Sequence, residues 1–258
     1  MAPRIVTLTT DFGWRDSYVA AMKGVLYSRC PGISVVDLTH DIGPQRIMEA
    51  GLFLSGAVPW FPKGTIHLVI VDPGVGGERH PMAAKVDGQY FVGPDNGFLS
   101  HLLQRFPLER AVALDNPERH LSVVSDTFHG RDIFAPSAAH LACGGKLEEL
   151  GTELDVLETL PLKAVAVQDD GSVQGEIVHI DRFGNCISNI GTDHFSEACK
   201  AQVGKHKLAV ARTYAAVQRG KAVALFGSSG WLEIAVREGS AAEKLGIDCG
   251  ARVTLRRG

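Results

Sequence analysis

The stretch VIVDPGVGGERHP, residues 69–81, ends an apolar run on the carboxylate of Asp72 and then supplies the guanidinium of Arg79. Between them Pro73, Gly74, Gly76 and Gly77 leave little room for a helix, and glycine lets a backbone turn sharply or approach a ligand closely. A carboxylate at a strand end, followed by a loop that can turn a cation back toward it, suits acid–base work or the holding of a polar ligand. Asp11, in TTDFGWRDS, stands several residues ahead of any helix start, so it reads as functional rather than a cap; Asp41, in DLTHDI, reads as a helix cap. His129, in DTFHGRDIFAP, precedes Gly130 and a helical run, which puts its ring on a loop within reach of a crevice, although a loop histidine without a task is the commoner case. Asp11, His40, Asp72, His80, His129 and Asp132 together also form an oxygen-and-nitrogen inventory for a metal. No tight metal-ligand spacing joins them, and Arg79 would repel a cation.

The later part of the chain carries a different group. In IDRFGNCISNIG, residues 180–191, Asp181 ends a strand, Phe183 adjoins a glycine, and Asn185 offers donor and acceptor on one amide. Such an amide can bond the edge of an adenine. The same residues are those of a hairpin turn. FGSSGWLEIAV, residues 226–236, adds Ser228, Ser229 and backbone amides beside Trp231, either an anchor for a carboxylate or only a loop.

These groups must be positioned by elements that the periodicity predicts. RIVTLTT (4–10), ISVVDLT (33–39) and TIHLVIV (65–71) are apolar and β-branched at nearly every position, as in strands covered on both faces. Residues 17–30 and 44–58 read as helices between them, with Pro44 suited to the first turn of the second. The alternation implies a parallel sheet, whose ligands collect outside the carboxyl ends of its strands. Asp87-Gly88 marks a hairpin within 83–92. A helix near 97–106, a strand at 110–114 and a helix near 132–143 follow. From about Leu160 short strands separated by turns predict a barrel or sandwich, with short helical pieces only around 192–200 and 240–246. The expected architecture is an α/β, Rossmann-like domain with a mostly parallel sheet over residues 1–160, and a smaller all-β barrel domain over 161–258.

Composition sets the outer bounds. With 258 residues, 45% hydrophobic, 21% charged and a net charge of -3, the chain has no basic excess for nucleic acid. No apolar run approaches the roughly 20 residues that cross a bilayer, and the amino terminus carries no signal-like pattern. A soluble, cytoplasmic protein without nucleic-acid or membrane partners is expected. Cys30, Cys143, Cys186, Cys199 and Cys249 are scattered singly, an odd set that predicts reduced thiols, each a small buried hydrophobe.

Taken in order, TLTTDFG, DSYVAAMKG, DLTHDI, VDPGVGGERHP, GPDNG, TFHGRDIFAP, IDRFGN and GSSGWLEIAV resemble the S-adenosyl-L-methionine (SAM) hydroxide adenosyltransferases, the hydrolytic relatives of fluorinase and the SAM-dependent chlorinase. The resemblance spans nearly the whole chain. It implies an amino-terminal α/β domain, a carboxy-terminal barrel, and a homotrimer with SAM held between the first domain of one subunit and the second of its neighbour. It implies a water-activating set on Asp72, Arg79 and His129 and a ribose site on Asp11. The methionine end is expected near Asp181 and Ser229 (or the adjacent Ser228), adenine near Phe183 and Asn185, and Glu238 among the binding residues; Trp231 and Glu233 have no firm assignment. The implied reaction is hydrolysis of SAM to adenosine and L-methionine with no cofactor. A SAM-dependent halogenase, a metal-dependent hydrolase and a non-catalytic SAM or adenosine binder are the alternatives. The short stretch from Pro81 to Pro94, without the inserted loop of the fluorinases, favours water over halide.

Overall fold

A computed structural model describes residues 4–194 and 199–257. The chain forms two compact units, Met1–Leu162 and Lys163–Gly258. In the first, strands β1 (Ile5–Thr10), β2 (Ser34–Thr39), β3 (Ile66–Ile70), β4 (Pro81–Val86), β5 (Gln89–Pro94) and β6 (Leu108–Ala113) make one sheet in the order β2-β1-β3-β5-β4-β6. The β1–β2, β1–β3 and β3–β5 pairs are parallel, and β4 runs antiparallel to β5 and β6. Every residue of β3 is buried, as its unbroken apolar sequence requires of a central strand. The hairpin turns at Asp87 and Gly88, both with positive φ.

Helix α1 (Tyr18–Arg29) buries Val19, Met22 and Leu26, the helical spacing that lays one stripe on the sheet. Helix α2 (Ile47–Ala57) starts later than its sequence suggests: Gln45 adopts φ 65°, so neither Pro44 nor Asp41 belongs to its first turn. The helix near 97–106 contracts to α3 (Ser100–Leu103). Residues Gly130–Phe134 form a wide π-type turn that runs into α4 (Ala135–Ala142). Pro136 explains the widening. It has no N–H to give to the carbonyl four residues back, and that carbonyl, on Asp132, instead accepts from Leu121 N–H at 2.9 Å.

The second unit adds β7 (Ala166–Val167), β8 (Val173–Ile180), β9 (Cys186–Gly191), β10 (Cys199–Val203), β11 (His206–Ala211), β12 (Ala222–Phe226), β13 (Trp231–Val236) and β14 (Arg252–Arg257). They run in the order β14-β10-β11-β12-β13-β9-β8-β7, and a further β14–β8 pairing closes seven of them into a barrel. Its interior is apolar, with Ile177, Ile190, Leu232, Ile234 and Val253 at its centre. The helical piece expected near 240–246 is α5 (Ala241–Leu245); of that near 192–200, Thr192–His194 is a single turn and 195–198 lie outside the described residues.

The cysteine expectation needs correcting. Cys30 and Cys143 form a disulfide, Cα atoms 5.7 Å apart. They terminate α1 and α4, whose packing brings together residues 113 positions apart, a proximity no local spacing reveals. Cys143 and Cys249 are exposed rather than buried. Reduction should lower the unfolding free energy by about 2–4 kcal/mol, read from urea transitions with and without dithiothreitol. Coincident transitions would show that the bond stabilises nothing.

Buried His67 accepts from Thr7 Oγ1 at 2.7 Å through Nδ1 and donates through Nε2 to Gln89 Oε1 at 3.0 Å. Burial, only partly opposed by Gln89, lowers its pKa to about 4. The unfolded chain takes up this proton from about pH 6.5 downward and the folded chain only near 4. Stability from this group is therefore complete above 6.5 and declines by about 3 kcal/mol as pH falls toward 4. An NMR titration should find the ring neutral to about pH 4; a midpoint near 6.5 would contradict this.

Candidate active site

The strand order β2-β1-β3 reverses the direction of winding at β1, and the loops leaving β1 and β3 diverge to open a crevice at their carboxyl ends. A cavity of about 800 Å³ occupies it. Asp11 and Phe12 reach it from β1, Gln45 from the segment before α2, Asp72 from β3, and Phe128 and His129 from the turn before α4.

Asp72, Arg79 and His129 converge. Arg79 donates to both oxygens of Asp72, Nε to Oδ1 at 3.0 Å and Nη2 to Oδ2 at 2.5 Å, and Nη2 also donates to His129 Nδ1 at 2.9 Å. The pair is largely dry, with side-chain exposures of 10% for Arg79 and 6% for Asp72. Arg79 also lies over the ring of Phe134, 5.4 Å from its centre. Asp72 and His129 form part of the cavity wall while Arg79 stands behind them. The loop permits this: a Cβ on Gly76, at φ 74°, would meet Asp126 O at 2.5 Å, and one on Gly74 would crowd Arg79 at 3.1 Å.

A guanidinium has only donors, so His129 Nδ1 must accept. The neutral ring then carries its proton on Nε2. Burial and the Arg79 charge both press the His129 pKa below its usual 6.5, outweighing Asp72, Asp132 and Asp126. The loop carrying the ring is tied by buried Asp132, whose carboxylate accepts from Ser125 N and Oγ, both at 2.9 Å, and from Arg131. Burial raises the Asp132 pKa, but Arg131 and Ser125 more than offset it. Asp11 accepts from Gln45 N–H through Oδ2 at 2.8 Å. Phe12, Tyr18 and Phe128 pack together beside it, ring centres 5.2–5.9 Å apart. Of the remaining metal inventory, His40 turns away to Thr10 and Asp37. Among the described residues no three His, Cys, Asp or Glu side chains gather as a metal site.

In the barrel unit a second cavity, about 510 Å³, is lined by Phe183, Asn185, Tyr214, Val236, Glu238 and Ser240. Phe183 is 76% exposed. The segment 181–185 is a hairpin turn between β8 and β9: Asp181 Oδ1 accepts from Phe183 N and Asn185 N, and Oδ2 from Asn185 Nδ2 at 2.9 Å. Asp181 thus spends most of its acceptor capacity on its own turn. Glu238 adopts φ 56° and pairs with Arg219 at 2.8 Å. Ser228 and Ser229 are exposed on the turn before β13, and neither they nor Asp181 line this cavity. Sequence reading missed Tyr214, whose hydroxyl donates to Glu233 Oε1 at 2.6 Å; Glu233 is buried, which raises its pKa despite that bond. Gln45 was missed too, because a backbone N–H has no sequence signature.

An α/β unit with a carboxylate–guanidinium–imidazole cluster at its switch point, joined in one chain to a barrel with an aromatic-lined cavity, defines a narrow class. Residues 6–151 match the model of the SAM hydroxide adenosyltransferase N-terminal domain and 175–254 that of the C-terminal domain. The (R)-S-adenosyl-L-methionine hydrolase of Thermus thermophilus is 41% identical, over 98% of this chain and 99% of that protein. A fluorinase of Nocardia brasiliensis is 26% identical over 98% of this chain and 97% of its own length. The crystal structure of an uncharacterized conserved protein from Thermotoga maritima superposes with a TM-score of 0.91 at 34% identity, covering 98% of this chain and all of that one. The chain belongs to the SAM hydroxide adenosyltransferase family and is a SAM hydrolase.

The His129 geometry makes a prediction about acid tolerance. Protonating Nδ1 would set N–H against N–H at Arg79, so the neutral ring persists below pH 6.5. An NMR titration of the His129 ring should therefore give a midpoint below pH 6.5; a midpoint at or above that value would refute the contact with Arg79.

Proposed function

We propose that the substrate is the (R) epimer of SAM at sulfur and that Asp72, rather than His129, takes the proton of the attacking water. The Arg79–His129 contact supports the second statement. With Nδ1 occupied by a guanidinium N–H and Nε2 protonated, His129 is a donor on the cavity wall, whereas Asp72 has lone pairs left after its two bonds to Arg79. Water is thus held between Nε2–H of His129 and the Asp72 carboxylate. Its oxygen attacks the ribose 5′ carbon in line, the carbon–sulfur bond breaks with its electron pair on sulfur, and the water proton passes to Asp72. The products are adenosine and neutral methionine. General-base help contributes roughly 10²–10⁴-fold and alignment at least as much. Arg79 holds base and donor at a fixed angle.

Asp11 accepts the ribose hydroxyls with the capacity that Gln45 leaves free. Phe183 stacks on the adenine, Asn185 meets its edge with its remaining amide groups, and Glu238 lines the same cavity. Asp181 and Ser229 take the methionine end. Neither cavity alone offers every contact, so in this reading a homotrimer supplies the α/β half from one subunit and the barrel half from another. No cofactor or metal enters, because a sulfonium departs as a neutral thioether without a Lewis acid; turnover should survive a chelator. The (R) assignment rests on the names of relatives 30–41% identical to this chain. Epimers at sulfur present the same ribose and 5′ carbon, so discrimination falls to the residues that hold the amino-acid arm. No helix among the described residues is long and apolar enough to cross a membrane. A cytoplasmic setting, which the cysteines no longer support, follows in this proposal from the permanent charge of SAM, which keeps it on the side of the bilayer where it is made.

Incubation of a mixed-epimer SAM sample in H₂¹⁸O should consume the (R) form and place the label in the 5′ hydroxyl of adenosine. Loss of both epimers alike would remove the stereochemical claim, and 5′-chloro-5′-deoxyadenosine in chloride buffer the hydrolytic one. Asp72→Asn should lose at least about 10²-fold in kcat while His129→Gln, which keeps a donor, loses less. The reverse ranking would make His129 the base.

A further inference from the structure

A second polar chain, buried at Thr10 and His40 and open to solvent at Asp37, meets the backbone on either side of Asp11. Phe12 N–H donates to Thr10 Oγ1 at 3.2 Å, and Thr10 Oγ1 lies 2.8 Å from His40 Nδ1. His40 Nε2 lies 2.9 Å from Asp37 Oδ1, and Lys23 Nζ donates to Asp37 Oδ2 at 2.6 Å. Both ends of this chain fix its direction. A carboxylate only accepts, so His40 Nε2 donates; in the neutral ring Nδ1 then accepts the Thr10 proton, leaving Thr10 oxygen to accept from Phe12. His40 O also accepts from Gly13 N–H at 2.8 Å. His40 is 1% exposed, with Trp14 edge-on against its ring at 4.4 Å between centres.

The strand geometry is built for this meeting. The β1–β2 register shifts between Leu8 and Thr9, leaving Leu38 as an extra residue in β2. Such a bulge re-aims the residues that follow, here Thr39 and His40, toward the end of β1. Three hydrogen bonds thereby clamp residues 10, 12 and 13, on either side of Asp11. Asp11 itself has one bond, from Gln45 to Oδ2, so the aim of its other oxygen is set by the backbone that the clamp holds.

We propose that His40 is a positioning residue: through Thr10 and the Phe12 amide, with Asp37 and Lys23 fixing its ring, it aims the Asp11 carboxylate at the ribose diol. The proposal rests on the ribose role of Asp11 given above. A merely structural histidine would move stability and leave substrate discrimination alone, which makes discrimination the decisive readout.

The experiment compares kcat/KM for SAM and for its 2′,3′-dideoxyribose analogue in wild type, Asp11→Ala, His40→Gln and Thr10→Val, with melting temperatures alongside. Wild type should favour the diol by roughly tenfold to a hundredfold, the scale of hydrogen bonds to a charged group. Asp11→Ala should abolish that preference. His40→Gln and the near-isosteric Thr10→Val, which removes one hydroxyl and keeps the variant testable if His40→Gln fails to fold, should cut it at least about fivefold, chiefly through KM. Thr10→Ser should restore it. If Asp11→Ala loses the preference while the folded His40 and Thr10 variants keep it, the positioning role is overturned and the ribose role stands. If Asp11→Ala itself keeps the preference, the ribose role falls and the inference falls with it.

Discussion

One guanidinium organises the candidate site of this protein. Arg79 cannot accept a hydrogen bond and does not lose its proton, so whatever it touches must present a lone pair. Its bonds to Asp72 and His129 therefore fix two things at once: both oxygens of Asp72 face the arginine as acceptors, and the His129 proton points away from it. A lysine could neutralise Asp72 but not hold both partners at a set angle, because an ammonium is a point charge on a flexible stem. The cluster is partly dry, where charges interact more strongly than in water, and the two formal charges within it cancel. The cavity wall consequently presents a donor and a compensated carboxylate, a surface suited to a water molecule beneath a cationic substrate. A halide would meet the carboxylate first, with the cation screened behind it.

That arrangement depends in turn on two pieces of backbone. The loop from Pro73 to Gly77 must bring Arg79 back over Asp72, and the contact Gly76 makes with Asp126 leaves no room for a side chain. The turn that carries His129 is widened because Pro136 withholds an N–H, and Asp132 ties it to Ser125. Substitutions at Pro136 or Asp132 would act on the imidazole without touching any ligand, in the manner of outer-shell partners elsewhere.

Much of this was legible in the sequence, for physical reasons that differ from part to part. Strands β1, β2 and β3 were readable because double-sided burial forces apolar residues at almost every position, and the Asp87-Gly88 hairpin because its turn needs two positive φ values. Helix α2 was misjudged at its start because Pro44 suits a helix N-terminus, whereas the positive φ of Gln45, unusual for a side-chain-bearing residue, had no signal. The convergence of Asp72, Arg79 and His129 followed from resemblance, since a contact between positions 79 and 129 leaves no trace in local spacing. The disulfide was missed for the same reason. The segment 181–185 forms the hairpin turn, whose own N–H groups take up part of the acceptor capacity of Asp181, while Phe183 and Asn185 line the adjoining cavity.

The rigidity of the sheet bears on the reaction itself. In-line displacement requires nucleophile, carbon and sulfur to lie on one line, and a misplacement of about 1 Å can cost 10²-fold. Asp11 follows β1 directly and Asp72 follows β3, and these strands are paired in register, Thr10 opposite Ile70. Adjacent strands stand about 4.8 Å apart and hardly move against each other. The positions of Asp11 and Asp72, proposed above to hold the ribose and the water, are thus set by the spacing of a buried hydrogen-bond ladder rather than by the conformation of two loops. A site whose two halves rode on separate loops would have to order them at each turnover. Here the ordering entropy is met once, when the sheet folds. That places the demand for precision on the short connections at residues 10–13 and 72–79, where the polar chain through His40 and the Arg79 bridge are found.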